Sequence, residues 1–202
     1  MAATENTREA PDAAIRAEAY EEMLSQNAGM MDGCRNWMLC LQWQFNAVPY
    51  SLTCITSNLA NASSMLWQAY QKAPYTRDGV NWAGFYVIDP VAPPGTQLIL
   101  GPFQGKPACQ TIAFGRGVCG TVAVEQEMRN VPDVLDVKNH IACDPNTLSE
   151  IVVPIMVTQR DGSKRLVGVI DIDSKKLACF GAVDEKYLPK LAQQLAEGCD
   201  WP

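Results

Sequence analysis

The sequence predicts an α+β domain in which helices pack on a central, mostly antiparallel β-sheet. Segments with helical spacing come first, segments rich in aromatic and β-branched residues follow, and a further helical segment comes near the C-terminus. Short turn sequences separate successive strand segments, which is typical of hairpins and therefore of antiparallel pairing. A chain of 202 residues is long enough for one such domain with a sizeable core.

Two helices are predicted in the N-terminal part of the chain. Apolar residues recur near helical spacing from Ala13 to Met31 and from Asn58 to Lys72, so each segment is expected to form an amphipathic helix. Ala73-Pro74 follows the second segment, and proline cannot continue a helix. Residues 1–12 are expected to form a flexible tail, which leaves residues 13–202 for the domain.

The strands are predicted from runs of aromatic and β-branched residues that end at turn sequences. A Pro/Gly-rich turn at Ala92–Gly95 joins the first two strands, and Asp161-Gly162 joins the last two, so each pair is expected to form a hairpin. The predicted strands are Asn81–Ile88, Gln97–Phe103, Cys109–Phe114, Glu150–Val157 and Arg165–Asp173.

Two further helices and one long loop complete the prediction. A short helix is expected at Val118–Glu127, after the glycines of Gly115–Gly117, and a C-terminal helix at Asp184–Glu197. Val131–Leu148 is polar and rich in turn residues, so it is expected to be a loop. Loops of this length in compact domains usually carry function.

Composition excludes two classes of partner. The net charge is −6 and the basic residues are scattered, so a surface that tracks nucleic-acid phosphates is not expected. The segment from Asn36 to Gln71 has no charged residue, but polar residues interrupt it, and no stretch is apolar enough to span a membrane.

The cysteine content indicates the compartment. The chain has eight cysteines, and its N-terminus lacks the apolar core of a signal peptide, which together predict a reducing, cytoplasmic location. A zinc site is not expected, because there is no Cys-x-x-Cys pair and His140 is the single histidine. We therefore expect neither a metal nor another cofactor.

Three cysteines in the second half of the chain are candidates for thiol chemistry. Cys109, Cys119 and Cys143 each lie beside turn-forming, small or polar residues rather than inside an apolar run. Cys119 follows glycines at the start of a predicted helix, where backbone N–H groups lower a thiol pKa, so helix position alone favours it as the nucleophile. Near Cys143, His140 favours the thiolate and Asp144 disfavours it. Each cysteine can alternatively be a packing or loop residue without a chemical role.

Three carboxylates are predicted to lie close together on the sheet. Asp171 and Asp173 are two residues apart on one strand and therefore point to the same side, and Glu150 opens the strand across the hairpin. Crowded carboxylates favour an ammonium ligand and raise the pKa of at least one member of the group. A solvent-facing strand is an equal alternative.

Two aromatic residues share a face of the first predicted strand. Trp82 and Tyr86 are four residues apart, and core packing is the usual role of such a pair. Gly84 lies between them and lacks a side chain, so the floor of a ligand pocket is the alternative.

An ordered series of segments resembles one known family. The segments are Asn81–Tyr86, Leu98–Gly105, Ala108-Cys109, Gly115–Gly120, His140–Asp144, Ser149–Pro154 and Gly168–Asp173. Together they closely resemble the free methionine-R-sulfoxide reductases, which are single GAF domains, and the resemblance covers roughly Ala13 to Trp201.

This resemblance implies a redox cycle on free L-methionine-R-sulfoxide. Cys143 would attack the sulfoxide and become a sulfenic acid, Cys109 would resolve it as a disulfide, and Cys119 would lie close by as an auxiliary thiol. A thioredoxin-like dithiol protein would then regenerate the thiols. The family assignment of the nucleophile therefore differs from the one that helix position favours.

The resemblance also implies how the substrate is held. Glu150, Asp171 and Asp173 would bind the ammonium group and keep one acid protonated near the sulfoxide oxygen. The methyl and thioether region would pack on Trp82, with Tyr86 beside it.

The chain departs from the family at about residues 38–55, which are expected to be an insertion. This insertion is expected to cover the pocket, to contact a second copy in a homodimer, or to be poorly ordered. The alternative function for the whole chain is a noncatalytic GAF sensor of a small molecule or of redox state, because this fold more often senses than catalyses.

Overall fold

The structure, a computed structural model, describes residues 6–41, 50–137 and 144–201. Its helices are α1 (Asn6–Leu41), α2 (Tyr50–Lys72), α3 (Pro74–Arg77), α4 (Gly117–Glu125) and α5 (Ala182–Gly198), with a 3₁₀ turn at Val134–Asp136. Its strands are β1 (Val80–Ile88), β2 (Gln97–Gly105), β3 (Thr111–Ala113), β4 (Arg129–Val131), β5 (Ser149–Thr158) and β6 (Lys164–Ser174).

The described strands form one six-stranded sheet in the order β3-β2-β1-β6-β5-β4. Every neighbouring pair is antiparallel, which confirms the predicted α+β class and both predicted hairpins. The β5–β6 turn contains Gly162 at a φ of +83°, a left-handed conformation that glycine adopts without strain.

The two faces of the sheet carry different cores. Helices α1, α2 and α5 cover one face, where Ile151, Ile170 and Ile172 are buried among their side chains. Helix α4 covers the other face, which receives Val152 and Val169. Since side chains alternate along a strand, the odd-numbered positions of β6 from Val169 onward point toward α4. This alternation decides on which face Asp171 and Asp173 lie.

A buried polar cluster joins the three helices of the first face. The Asp184 carboxylate of α5 pairs with the Arg16 guanidinium of α1 at 2.7 Å. The same carboxylate accepts hydrogen bonds from the hydroxyls of Tyr20 and Tyr70 at 2.8 and 3.1 Å. A buried charge needs such partners, so this cluster favours one arrangement of the helices.

The N-terminal part differs from the prediction at its first boundary. Helix α1 begins at Asn6, so it includes most of the segment expected to be a tail. Asp12 is buried, and its carboxylate accepts a hydrogen bond from the backbone N–H of Tyr75 at 3.3 Å. Tertiary contact therefore extends the helix beyond the apolar pattern. Of the predicted insertion, residues 42–49 lie outside the described residues, and its two ends belong to α1 and α2.

The predicted loop Val131–Leu148 contains short regular elements. Strand β4 ends at Val131, and the 3₁₀ turn Val134–Asp136 is capped by Asp133, whose side chain accepts a hydrogen bond from the Leu135 N–H at 2.9 Å. Elements of three residues are too short to show a periodic pattern, which is why the sequence did not indicate them. Residues 138–143 lie outside the described part of the chain.

None of the helices in the described ranges is long and apolar enough to cross a lipid bilayer.

Candidate active site

Cross-strand pairing brings the predicted site residues together on the α4 face of the sheet. Asp173 on β6 lies opposite Trp82 on β1 and Glu150 on β5, so these three residues form one row across the sheet. Asp171 lies in the next row on the same face, opposite Gly84. The hairpin register therefore places three carboxylates and an indole side by side.

These residues line a cavity of about 40 Å³ between the sheet and the start of α4. The predicted site residues in its wall are Trp82, Tyr86, Cys119, Glu150, Asp171 and Asp173. Further wall residues come from the β2–β3 connection (Lys106, Pro107, Ala108), the α4 N-terminus (Arg116, Gly117, Val118) and the segment before β5 (Asp144, Thr147).

The aromatic wall is a stack of three rings. The Trp82 ring lies 5.8 Å from Tyr86 and 5.2 Å from Phe103, with interplanar angles of 23° and 14°. The expectation that Gly84 leaves space for a ligand between Trp82 and Tyr86 is therefore wrong. A Cβ atom there would lie 2.3 Å from the Phe103 Cβ and 2.8 Å from the Trp82 ring, so the missing side chain admits these two residues rather than a ligand.

Cys119 lies in the first turn of α4, at 3% relative exposure, with Sγ 3.9 Å from Glu150 Oε1. Burial raises its pKa, and the charges of Asp171 and Glu150 raise it further. The lowered pKa expected from the helix N-terminus is therefore wrong, because desolvation and two carboxylates outweigh the helix dipole. Cys119 is a protonated thiol that donates a hydrogen bond.

The three carboxylates favour their protonated forms. Burial is the largest cause for each of them, and it raises the pKa of Asp171 from 3.8 to about 7. Burial and then the charge of Asp171 raise the pKa of Glu150 and Asp173 well above their ordinary values. The cluster therefore retains protons at neutral pH and can act as an acid.

One ligand set in the cavity is close enough to bind a metal ion. Single ligand atoms of Cys119, Glu150 and Asp171 lie within 4.8 Å of one another. Metal binding requires deprotonated ligands, whereas the raised pKa values of all three favour protonated ones. Within this set, the Cys119 thiol donates a hydrogen bond to Glu150.

Two buried polar atoms of the wall have no hydrogen-bond partner among the described residues. They are the indole Nε1 of Trp82, a donor, and Oδ1 of Asp171, an acceptor. Buried polar atoms are usually paired, so a bound molecule with one acceptor and one donor is a suitable partner for both. The sequence indicated the Trp82 ring but not the role of its N–H group.

The two cationic residues of the cavity wall, Lys106 and Arg116, differ in whether they form an ion pair. Lys106 Nζ lies 3.6 Å from the Asp144 carboxylate. Arg116 forms no ion pair within the described residues, and it immediately precedes α4, whose first residues Gly117 and Val118 also line the cavity. A ligand carboxylate would find both a guanidinium and a helix N-terminus here.

The cysteines near the cavity differ in redox state. Cys109 is disulfide-bonded, and its backbone carbonyl accepts a hydrogen bond from the Tyr86 hydroxyl at 3.0 Å. Cys119 is a free thiol. Cys143, the predicted nucleophile, lies outside the described residues.

Comparison with known proteins identifies the family. Residues 52–198 match the GAF domain. The chain is 44% identical to the free methionine-R-sulfoxide reductase of Saccharomyces cerevisiae over 184 residues, which cover 91% of this chain and 87% of that protein. The chain belongs to the GAF-domain family of free methionine-R-sulfoxide reductases.

Two further family members show the same relationship. The free methionine-R-sulfoxide reductase of Escherichia coli is 39% identical over 155 residues, which cover 77% of this chain and 84% of that protein. The X-ray structure of the Neisseria meningitidis enzyme in complex with its substrate has a TM-score of 0.67 and 34% identity, and covers 90% of this chain and 89% of that chain.

Proposed function

We propose that this protein reduces free L-methionine-R-sulfoxide to L-methionine, with thiols as the source of electrons. The observation that carries the proposal is the cavity in which Glu150, Asp171 and Asp173 favour their protonated forms next to Trp82 and beside the loop of Cys109. The names of the yeast and bacterial relatives support the same reaction. Eight cysteines fit a reducing compartment, so we place the reaction in the cytoplasm.

The cavity offers a complementary group for each part of this substrate. The carboxylate cluster receives the ammonium group, since it is the acidic part of the wall. The methyl and thioether portion packs on the Trp82 ring. Arg116 and the first N–H groups of α4 receive the substrate carboxylate.

The chemical step moves an oxygen atom from the substrate to the enzyme. The Cys143 thiolate attacks the sulfoxide sulfur, and a carboxylic acid of the cluster gives a proton to the sulfoxide oxygen. The sulfur–oxygen bond of the substrate and the new bond between the two sulfurs then break as the hydroxyl passes to the Cys143 sulfur, so methionine leaves and Cys143 becomes a sulfenic acid. Methionine sulfoxide is reduced and the cysteine sulfur is oxidised by the same two electrons.

Resolution of the sulfenic acid regenerates the enzyme in two stages. The Cys109 thiol attacks the Cys143 sulfur, water leaves, and a disulfide forms. The disulfide-bonded state of Cys109 supports a redox role for this residue, whereas Cys119 remains a buried, protonated thiol. A thioredoxin-like dithiol protein then reduces the disulfide by exchange.

The size of the cavity fits the oxidised stage of this cycle. A volume of about 40 Å³ is far below the roughly 300 Å³ or more of typical ligand sites. Methionine sulfoxide therefore enters only after the wall opens, and we connect that opening with reduction of the disulfide.

We expect the rate of methionine formation to fall as the pH rises through about 7. Asp171 has a pKa of about 7, so this member of the cluster retains its proton below this pH and loses it above. Single-turnover rates across this range test the expectation, and Asp171→Asn is expected to remove the step. A rate that only rises with pH across this range would show that Asp171 is not the acid of the reaction.

The free amino group is the part of the substrate that tests the pocket most directly. N-acetyl-methionine sulfoxide and a peptide-bound oxide lack the ammonium group, so both lose its charge-assisted hydrogen bonds to the carboxylate cluster. We therefore expect at least hundredfold lower kcat/KM for both than for the free amino acid. Equal rates would indicate a protein-repair enzyme, and binding of the free oxide without turnover would indicate a sensor.

A further inference from the structure

The hydroxyl group of Tyr86 links the aromatic wall of the cavity to the loop that carries Cys109. Tyr86 lies on β1 and is buried, and its ring packs against Trp82 with a centroid distance of 5.8 Å. The hydroxyl donates a hydrogen bond to the backbone carbonyl of Cys109 at 3.0 Å. A side chain of the sheet core therefore contacts the cysteine that is oxidised in the proposed cycle.

The loop of Cys109 depends on such contacts, because it has no regular structure of its own. Residues 106–110, all within the described part of the chain, form neither helix nor strand between β2 and β3. The carbonyl of Gln110 accepts a hydrogen bond from the backbone N–H of Leu100 at 2.9 Å. Two successive carbonyls, those of Cys109 and Gln110, are thus bonded to β1 and β2, and together they fix the backbone at Cys109 to the sheet.

The surroundings of Tyr86 keep its hydroxyl available as a donor. Burial is the largest cause that raises the pKa of Tyr86, and the charge of Asp171 raises it further, so the hydroxyl stays protonated at neutral pH. The packed ring restricts where the hydroxyl can lie. Loss of this donor would remove a partner from the Cys109 carbonyl, and a carbonyl without a partner destabilises the conformation that leaves it so.

We propose that Tyr86 is a positioning residue for Cys109, which holds the backbone of this cysteine in its disulfide-bonded conformation and so strengthens the disulfide. The proposal rests on the redox role given above to Cys109. In the step concerned, the Cys109 sulfur bonds to the sulfur of the sulfenic acid, the S–OH bond breaks, and the hydroxyl leaves as water with the Cys109 proton. The Cys109 sulfur is oxidised and the sulfenic sulfur is reduced. The hydrogen bond accompanies the disulfide-bonded form of Cys109, so it favours that form over the dithiol.

The reduction potential of the Cys109 disulfide tests this role without substrate. Such a readout is needed because Tyr86 also lines the cavity, so its replacement is expected to change methionine formation as well. Tyr86→Phe keeps the ring and removes the hydroxyl. In a glutathione buffer, the disulfide that is absent from Cys109→Ser is expected to be about tenfold weaker in Tyr86→Phe, which corresponds to a potential about 30 mV less negative. Replacing Tyr86 with para-aminophenylalanine retains a donor and is expected to restore most of the potential.

Tyr187→Phe is the matched control. Tyr187 is also a buried tyrosine, but it lies on the opposite face of the sheet, and its hydroxyl donates to Glu21 at 2.7 Å. Its replacement is expected to leave the potential of the Cys109 disulfide unchanged. An unchanged potential in Tyr86→Phe, or an equal shift in Tyr187→Phe, would overturn the proposal.

Unfolding in denaturant measures the same effect independently. Oxidation and folding form a thermodynamic cycle, so Tyr86→Phe is expected to lower the free energy of unfolding more in the oxidised protein than in the reduced protein. Equal losses in both forms would contradict the role proposed for Tyr86. If the potential and the stability shift as expected but no form of the protein reduces methionine sulfoxide, the proposed function fails and the role of Tyr86 in the disulfide stands.

Discussion

Replacing Cys143 with serine is expected to abolish methionine formation, whereas Cys109→Ser is expected to release about one methionine per enzyme and then stop. Serine is far too weak a nucleophile for the sulfoxide sulfur, so Cys143→Ser fails at the first step. Cys109→Ser still forms the sulfenic acid but cannot resolve it as a disulfide. Rapid-quench measurement of methionine per enzyme, without and with an excess of a dithiol protein, distinguishes the two failures.

Two other cysteines provide matched comparisons for this experiment. Cys179 is a buried free thiol on the opposite face of the sheet, so Cys179→Ser is expected to retain turnover. Cys119→Ser retains a hydroxyl that can donate to Glu150, so its first turnover is expected to persist at a reduced rate. A full first turnover in Cys143→Ser, together with its loss in Cys119→Ser, would show that the nucleophile is Cys119.

Glu150→Gln and Asp173→Asn are each expected to lower the rate of methionine formation at least hundredfold. Each change removes an acid from the cluster that binds the ammonium group and protonates the sulfoxide oxygen, and general acid catalysis contributes about 10²–10⁴-fold in rate. Glu150 and Asp173 face each other across β5 and β6, so either loss leaves the cluster incomplete. Single-turnover rates at a fixed pH measure the effect.

Stability separates this chemical effect from damage to the fold. The amides keep the size of the acids and do not ionise, and burial already disfavours the charged forms of Glu150 and Asp173. The thermal midpoint of both variants is therefore expected to stay level or rise. Glu127→Gln, at an exposed site after α4, is the control for the amide change. Normal rates in both Glu150→Gln and Asp173→Asn would show that the acid cluster does not act in the reaction.

The alternation of side chains made much of the site predictable from sequence. Asp171 and Asp173 share a face because they are two apart on a strand, and the Asp161-Gly162 turn fixes the pairing of that strand with the one that begins near Glu150. The ends of the predicted helices and strands mostly lie within a few residues of the observed ones, because proline, glycine and turn sequences mark them.

The remainder depended on tertiary contacts that no local pattern reports. The space beside Gly84 depends on Phe103 from the neighbouring strand, and the pKa of Cys119 depends on carboxylates from β5 and β6. The contact of Asp144 with Asn81 and Lys106 joins residues 63 and 38 positions away in the chain. A sequence pattern does not show which distant residues will be in contact, so neither these contacts nor their effects on pKa and packing could be predicted.

The most direct test of the proposed function is turnover of the separated R and S diastereomers of free L-methionine sulfoxide with a dithiol reductant. The proposed function predicts sustained, thiol-dependent formation of methionine from the R form, in amounts far above the enzyme concentration, and at least hundredfold slower turnover of the S form. Binding of the R form without methionine formation, or equal rates on both diastereomers, would contradict it.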